Sequence, residues 1–365
     1  MYKFIFFLLL ALTAVWPAKA DYDAIALVYR KIHEENPQHL SYAKMTEEAL
    51  KGLQKMDNKL RFGTQAGRIT IYYGGKMIRS FHKPEQEKAE DWADLTEEIL
   101  TAVKKTSEQV SLHDFEAADE MLSALTQELK DGSKYYKAMD LAGEETFVPR
   151  KAFSAYQKEG VLYVKIKVFD RDSADKLRQA IEKEKDASGM ILDLRGSTGG
   201  SLAAMINIAD MFLDDGIIVS VKSGDGREEN FYNANVGGEW NKKPLVVLVD
   251  ADTASSAEAL SLSLQEQGRA KLVGTRTYGK STVQELMDLD NGSRLSLTTS
   301  KILGPSGAEI SENGLIPDVC TTYMGEVQKP EFVAQKAKAV DCPRQKREKQ
   351  EFDILTALVL IHKKL

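Results

Sequence analysis

The chain of 365 residues is short of the side chains that most hydrolytic sites are built from. It has two cysteines and five histidines, His33, His39, His82, His113 and His362. None of the five lies between Gly160 and Pro317, so that stretch cannot supply its own Ser-His-Asp triad. Neither cysteine sits at a strand-to-helix turn, which argues against a thiol nucleophile. No HExxH, no P-loop and no G-x-G-x-x-G opening a helix is present. Hydrolytic chemistry in this chain must therefore use Ser, Asp, Glu or Lys. Charge of one sign is also missing. The net charge of −6 is mild and mixed, which excludes nucleic acid as an expected partner.

Long apolar runs are absent after the first residues. The start reads MYK, then an apolar stretch from Phe4 to Trp16, then PAKA. A short basic start, an apolar centre and small residues at Ala18 and Ala20 predict a secretory signal over 1–20, cleaved after Ala20. A membrane anchor is the alternative, but the run is short of the roughly 20 apolar residues that a bilayer needs. Loss of Lys3 and Lys19 would take the net charge from −6 to −8. In an oxidising compartment Cys320 and Cys342 are a candidate disulfide tying the tail to the end of the core. Two unrelated thiols are the alternative. A structural zinc site is not, because its four-ligand spacing is missing.

Residues 21–140 predict a mainly helical domain. Apolar positions recur at helical spacing in DAIALVYRKIHEE, MTEEALKGLQKM and ADLTEEILTAVKK. They recur again in DFEAADEMLSALTQELKDG, with Gly132 as the expected stop. Between them RITIYYGGKMIRSF reads as a hairpin turning at Gly74–Gly75. Residues 141–159 read as a linker. From Gly160 strand-like runs (VLYVKIKVF, MILDLRG, IIVSVKS, PLVVLVD, AKLVG) alternate with helical patterns at 173–186, 201–213 and 256–267. This alternation predicts an α/β core with a largely parallel sheet covered by helices. Asp290-Asn291-Gly292 predicts a hairpin turn, and EFDILTALVLIHKKL a terminal helix in need of a surface. The expected division is a signal (1–20), a helical domain (21–140), a core (141–326) and a C-terminal extension (327–365).

Three segments can carry chemistry. In PLVVLVDADTASSAEAL a buried strand runs through small residues straight into a helix, with Ser255 at the junction. A helix N-terminus favours developing negative charge there. The ordinary role of such a serine is helix N-cap, which Ser256 can fill if Ser255 is the nucleophile. In AKLVGTRTYGKSTVQE, Lys280 stands between Gly279 and Ser281, small neighbours that let the backbone pack close and bury the amine. A lysine acts as a base only when its surroundings favour the neutral amine. Gln284 could orient it. In MILDLRGSTGGSL, Gly199 and Gly200 precede a helix, where backbone N–H groups can form an oxyanion hole. Taken singly, each is an ordinary cap, surface charge or turn.

Together they resemble the carboxy-terminal processing peptidases, or tail-specific proteases. That family has D-L-R-x-x-x-G-G, a serine in S-A-S-A-S-E and a lysine in G-[TS]-x-G-K-[GS]-x-V-Q. The matching segments are DLRGSTGG, TASSAE and GTRTYGKSTVQ. The resemblance implies a crotonase-like mixed-sheet protease core and serine-type endopeptidase activity. Ser255 is then the nucleophile, Lys280 the base and Gln284 its partner. Gly200, with Gly199 beside it, and the Ser256 N–H supply the oxyanion site. Glu258, Thr277 and Gly279 have supporting roles, with Glu258 organising the loop. It implies no metal or organic cofactor. It implies protein or peptide substrates, periplasmic or secreted, and an adaptor or a homo-oligomer as further partners. GPSGAEISENGLIPDV extends the likeness to about residue 320.

Two departures follow. Tyr136 leads to Val161 within 25 positions, where the family inserts a PDZ domain that binds substrate tails. The glycine turn has Gly196-Ser197-Thr198 in place of Asn-Asn-Pro, which leaves the backbone donors unaffected. The longer N-terminal region with its hairpin is the candidate for gating, dimerisation or adaptor binding. Two rival readings are weighed: a silent binding or assembly module of the envelope, and a crotonase-type acyl-CoA enzyme. Retention of both Ser255 and Lys280 speaks against the first, and the export signal against the second.

Overall fold

The computed structural model describes residues 16–65, 67–141, 152–236, 240, 242–322, 341–345 and 351–363. The apolar stretch before Trp16, where the signal is expected, lies outside them. The chain divides into two compact units that do not follow chain order. The first comprises residues 1–145, 223–227 and 283–300; the second comprises 146–222, 228–282 and 301–365. The expected core at 141–326 therefore contributes to both, and the expected C-terminal extension belongs to the second.

In the first unit α1 (Trp16–Glu35), α2 (Tyr42–Met56), β1 (Leu60–Gln65), β2 (Arg68–Tyr73) and β3 (Lys76–His82) are followed by α3 (Ala89–Lys104), α4 (Glu108–Leu112), α5 (Asp114–Leu129), β4 (Lys134–Tyr136) and α6 (Ala138–Leu141). Ser41 caps α2 by accepting from the Lys44 N–H, the role expected of a serine ahead of an apolar run. Val28, Tyr29 and Ile32 of α1, Met45, Leu50 and Leu53 of α2 and Met121, Leu122 and Leu125 of α5 build one core. Gly52 lets α2 approach the backbone of α5 at Glu120 and Met121. The hairpin turns at Gly74 and Gly75, both left-handed (φ 57° and 82°). It has a third strand that the sequence concealed, since β1 pairs antiparallel with β2. Helix α5 stops at left-handed Lys130, two residues ahead of the expected Gly132.

The second unit opens with β5 (Phe153–Lys158) and β6 (Val161–Ile166), then α7 (Ser173–Lys183), β7 (Gly189–Asp193), α8 (Leu202–Asp210), β8 (Ile217–Ser223), β9 (Glu229–Asn233), β10 (Leu245–Val249), α9 (Ser256–Glu266) and β11 (Lys271–Gly274). Strands β12 (Thr282–Asp288) and β13 (Arg294–Leu303) follow, with residues 283–300 in the first unit; β14 (Val319–Cys320) and α10 (Glu351–Lys363) complete the chain. A six-stranded sheet has the order β14-β11-β10-β7-β6-β5. Its β6–β7, β7–β10, β10–β11 and β11–β14 pairings are parallel, and β5 joins antiparallel at the edge. The linker expected at 141–159 is thus partly strand; residues 142–151 lie outside the described ones.

One face of the sheet, with Val161, Tyr163, Ile191, Val246, Leu248 and Val273, packs on Ala357, Leu360 and Ile361 of α10. That is the surface the terminal helix required. Burying Leu360 and Ile361 contributes about 1.5–3 kcal/mol each. The Sγ atoms of Cys320 and Cys342 are 2.05 Å apart, a disulfide that ties the end of β14 to residue 342. Among the described residues no helix is long and apolar enough to cross a membrane.

Candidate active site

The site lies at the C-terminal ends of β7, β10 and β11, within the second unit. All five residues of β10 are buried, so the chain leaves the sheet along a fixed line. It must turn into α9 within six residues. The turn is made by Ser255, whose φ of 57° and ψ of −124° are left-handed for a side chain that is not glycine. Such a conformation costs about 1–3 kcal/mol and persists only where neighbours enforce it.

Two carboxylates do so. Asp250 Oδ1 accepts from the N–H groups of Gly196 (2.9 Å) and Asp252 (3.1 Å). The Asp250 N–H in turn donates to Thr253 Oγ1 (2.9 Å), which donates to the Leu194 carbonyl (2.9 Å). Glu258, one turn into α9, is wholly buried and its Oε2 accepts from the Ser255 N–H at 3.0 Å. Ser255 is therefore itself the N-cap residue. N-cap is the ordinary role expected of Ser255, with Ser256 the cap if Ser255 is the nucleophile; Ser256 is instead the first helical residue, and its hydroxyl donates to the Gly200 carbonyl at 2.8 Å.

The glycine turn is pressed against this loop. A Cβ on Gly199 (φ 86°) would stand 2.9 Å from both Ser255 Cβ and Ser256 N. The Phe169 backbone spans the turn, its N–H donating to Gly199 O and its carbonyl accepting from the Ser201 N–H, both at 2.8 Å. The Ala254 N–H donates to Ser197 O at 2.9 Å. Among the described residues the N–H groups of Gly200 and Ser256 donate to nothing. Two free donors beside a serine hydroxyl at a helix N-terminus can hold an oxyanion.

The loop from Gly274 to Lys280 closes the site. The Tyr278 N–H donates to Thr253 O at 3.0 Å. Glu258 accepts three further hydrogen bonds there: from Thr277 Oγ1 (2.5 Å), Gly279 N–H (2.7 Å) and Lys280 N–H (2.8 Å). Burial pushes the Glu258 carboxyl above its ordinary range, and these four donors oppose the shift without cancelling it. Thr277 is held in turn by the Leu315 N–H, which donates to its Oγ1 at 2.7 Å. Gly279 lies against the backbone of Ser311 and Glu312, where a Cβ has no room.

Lys280 is half-buried, less than its small neighbours suggested. Among the described residues no hydrogen bond joins its Nζ to Ser255 Oγ; the two loops meet through Glu258. Gln284 belongs to β12 in the first unit, where its amide donates to Thr298 Oγ1 at 3.2 Å. Ser255, Lys280, Gly199, Gly200, Ser256, Glu258, Thr277 and Gly279 are all in the second unit. Sequence reasoning passed over Asp250 and Thr253. The D-x-D-T spacing was their available signal, since short polar side chains there bond their own backbone.

The same stretch of the chain is similar in sequence to known proteins. The profile of Peptidase family S41 matches residues 160–321. A chloroplastic carboxyl-terminal-processing peptidase 3 of Arabidopsis thaliana is 37% identical over 182 residues, covering 49% of this chain and 35% of its own length. A carboxyl-terminal-processing protease of Synechocystis is 37% identical over 162 residues, 44% of this chain and 38% of its own. The chain thus spans little more than a third of these relatives' length. Among solved structures, a photosystem II D1 C-terminal processing protease aligns with a TM-score of 0.41 and 29% identity, over 51% of this chain and 46% of that one. Residues 160–321, which carry the strained serine, the glycine turn and the lysine loop, match the profile of Peptidase family S41 and are similar to carboxyl-terminal processing proteases.

Proposed function

We propose that the chain is an exported serine endopeptidase that cleaves envelope proteins or peptides by a Ser–Lys mechanism. The observation that carries the reading is the strained Ser255 at the head of α9 with two unclaimed N–H donors beside it. Ser255 Oγ attacks the scissile carbonyl while neutral Lys280 takes its proton. The Gly200 and Ser256 N–H groups receive the tetrahedral oxyanion, worth about 3 kcal/mol per donor. The leaving amine departs with a proton from Lys280, and the same lysine then activates the water that hydrolyses the acyl-enzyme.

Glu258 is the positioning residue that holds both loops. For transfer, Lys280 Nζ must move to within about 3 Å of Ser255 Oγ. Substrate binding, an adaptor or self-association are the routes to that movement. Tyr136 and Val161 are too close in sequence to enclose the family's PDZ domain, so the proposed activity does not include selection of substrate tails.

The test is cleavage of an unfolded protein by the purified chain. Ser255→Ala and Lys280→Ala each remove activity by at least about 1000-fold with the fold intact. In the wild type kcat rises with pH, because the accepting amine must be neutral. Cleavage by Ser255→Ala at the wild-type rate would end the reading.

A further inference from the structure

The S41 match stops at residue 321, yet residues beyond it reach the catalytic loops. Arg195 is the last residue before the Gly196–Gly200 turn, and it is 2% exposed. Its Nε and Nη2 donate to the two oxygens of Asp193 at 2.9 and 2.8 Å. Its Nη1 donates to Oδ2 of Asp353 at 3.0 Å, a carboxylate wholly buried in α10 and 158 positions away. Lys165 Nζ completes the group, reaching Asp193 Oδ2 at 3.0 Å and the Arg195 carbonyl at 3.2 Å. Burial opposes these charges, but the partners outweigh it: the Asp193 carboxyl is held below its ordinary range and the Arg195 guanidinium above.

Asp193 and Arg195 lie on one strand and its exit, so their pairing moves with that strand. Lys165 of β6 and Asp353 of α10 hold the group from other elements; Asp353 is the one that meets the guanidinium, and α10 is itself seated on the sheet by Leu360 and Ile361. The turn beyond has little stiffness of its own, because Gly196, Gly199 and Gly200 carry no side chains. Its direction is set by the Phe169 and Ala254 backbone bonds along it and by the anchoring of Arg195 at its start. The tail also grips the lysine loop: Arg276 Nε donates to the Cys342 carbonyl at 2.8 Å and Thr275 Oγ1 to the Gln345 carbonyl at 3.0 Å.

We propose that Asp353, outside the S41 domain, is a positioning residue for the oxyanion turn: by fixing Arg195 it aims the Gly200 N–H at the oxyanion of the Ser255 adduct. The inference rests on the Ser–Lys reading above. It requires that losing Asp353 impair the transition state while leaving ground-state binding of substrate alone.

The experiment measures kcat and KM on an unfolded substrate for wild type, Asp353→Asn and Arg195→Met/Asp353→Leu. The last replaces the buried ion pair by apolar groups and so preserves packing. Inhibition by a peptide aldehyde, whose hemiacetal oxygen occupies the oxyanion position, is measured in parallel. The expected result in folded variants is kcat lower by about 10- to 100-fold, KM unchanged within about threefold, and an aldehyde Ki raised by the factor lost from kcat. A folded variant with wild-type kcat overturns the inference, and so does loss of fold in both variants, which would make Asp353 structural only. Ser255→Ala is assayed alongside. Cleavage that survives it removes the Ser–Lys reading and this inference with it, whereas Ser255-dependent cleavage with unchanged kcat in folded Asp353→Asn removes this inference alone.

Discussion

The Gly74–Gly75 hairpin of the first unit and the loops around Ser255 in the second use glycine for different ends. In the first, Gly74 and Gly75 turn a hairpin with open space where a side chain would stand. They are there for their left-handed backbone. In the second, Gly199 and Gly279 meet neighbouring backbone atoms that a methyl group would strike. Their purpose is close approach. The difference separates a region in which turns merely connect from one in which three loops are pressed into a single frame, and the frame surrounds the serine.

The sharpest test of that contrast is Gly199→Ala against Gly74→Ala. At Gly199 the methyl meets Ser255 Cβ at 2.9 Å, so the serine must move and turnover falls at least about 100-fold. Gly74→Ala costs about 1–2 kcal/mol of stability and leaves turnover unchanged. Steady-state cleavage and thermal melts of both variants read the two effects, and equal losses of turnover would dissolve the comparison.

Glu258→Gln has the next largest effect. The carboxylate accepts two donors on each oxygen, and an amide NH2 would face two of them. Each orphaned donor costs about 1–3 kcal/mol, so kcat falls about 10- to 100-fold and the melting temperature drops. Wild-type kcat in Glu258→Gln would show that the loops hold their places without it.

The smallest effect is in pH. The Asp193 carboxyl is held low by Arg195 and Lys165, so its stability contribution is present above the unfolded aspartate value of about 3.9 and lost as pH falls below it. Glu258, pushed up by burial, contributes below the unfolded glutamate value of about 4.3 and loses that contribution as pH rises through its folded value. Urea midpoints across pH 2–7 should decline less steeply in acid for Asp193→Asn, and less steeply on the alkaline side for Glu258→Gln. Parallel profiles for all three proteins would refute both assignments.

What the sequence revealed follows the same divide. The amphipathic helices, the Gly74 hairpin and the alternation of β6, β7, β8, β10 and β11 with helices could be read because their burial is periodic or continuous. Strands β5 and β9 could not, since their residues are almost all exposed and show no inside–outside alternation. At the site, Ser255, Lys280 and the glycine turn were legible from their spacing. Which serine caps α9 was not, because that depends on the left-handed backbone at Ser255. Asp353 was hidden most deeply. Nothing local marks an aspartate in a terminal helix as the partner of an arginine 158 positions earlier.

The four donors that converge on Glu258 have a consequence for anyone exchanging parts between relatives. Ser255, Thr277, Gly279 and Lys280 hang from one carboxylate, so the nucleophile loop and the lysine loop behave as a single inherited cassette. A graft that transplants one without the other sets two pieces of backbone on a support cut for a different pair. Chimaeras should therefore be joined outside residues 250–280, with the glycine turn carried along.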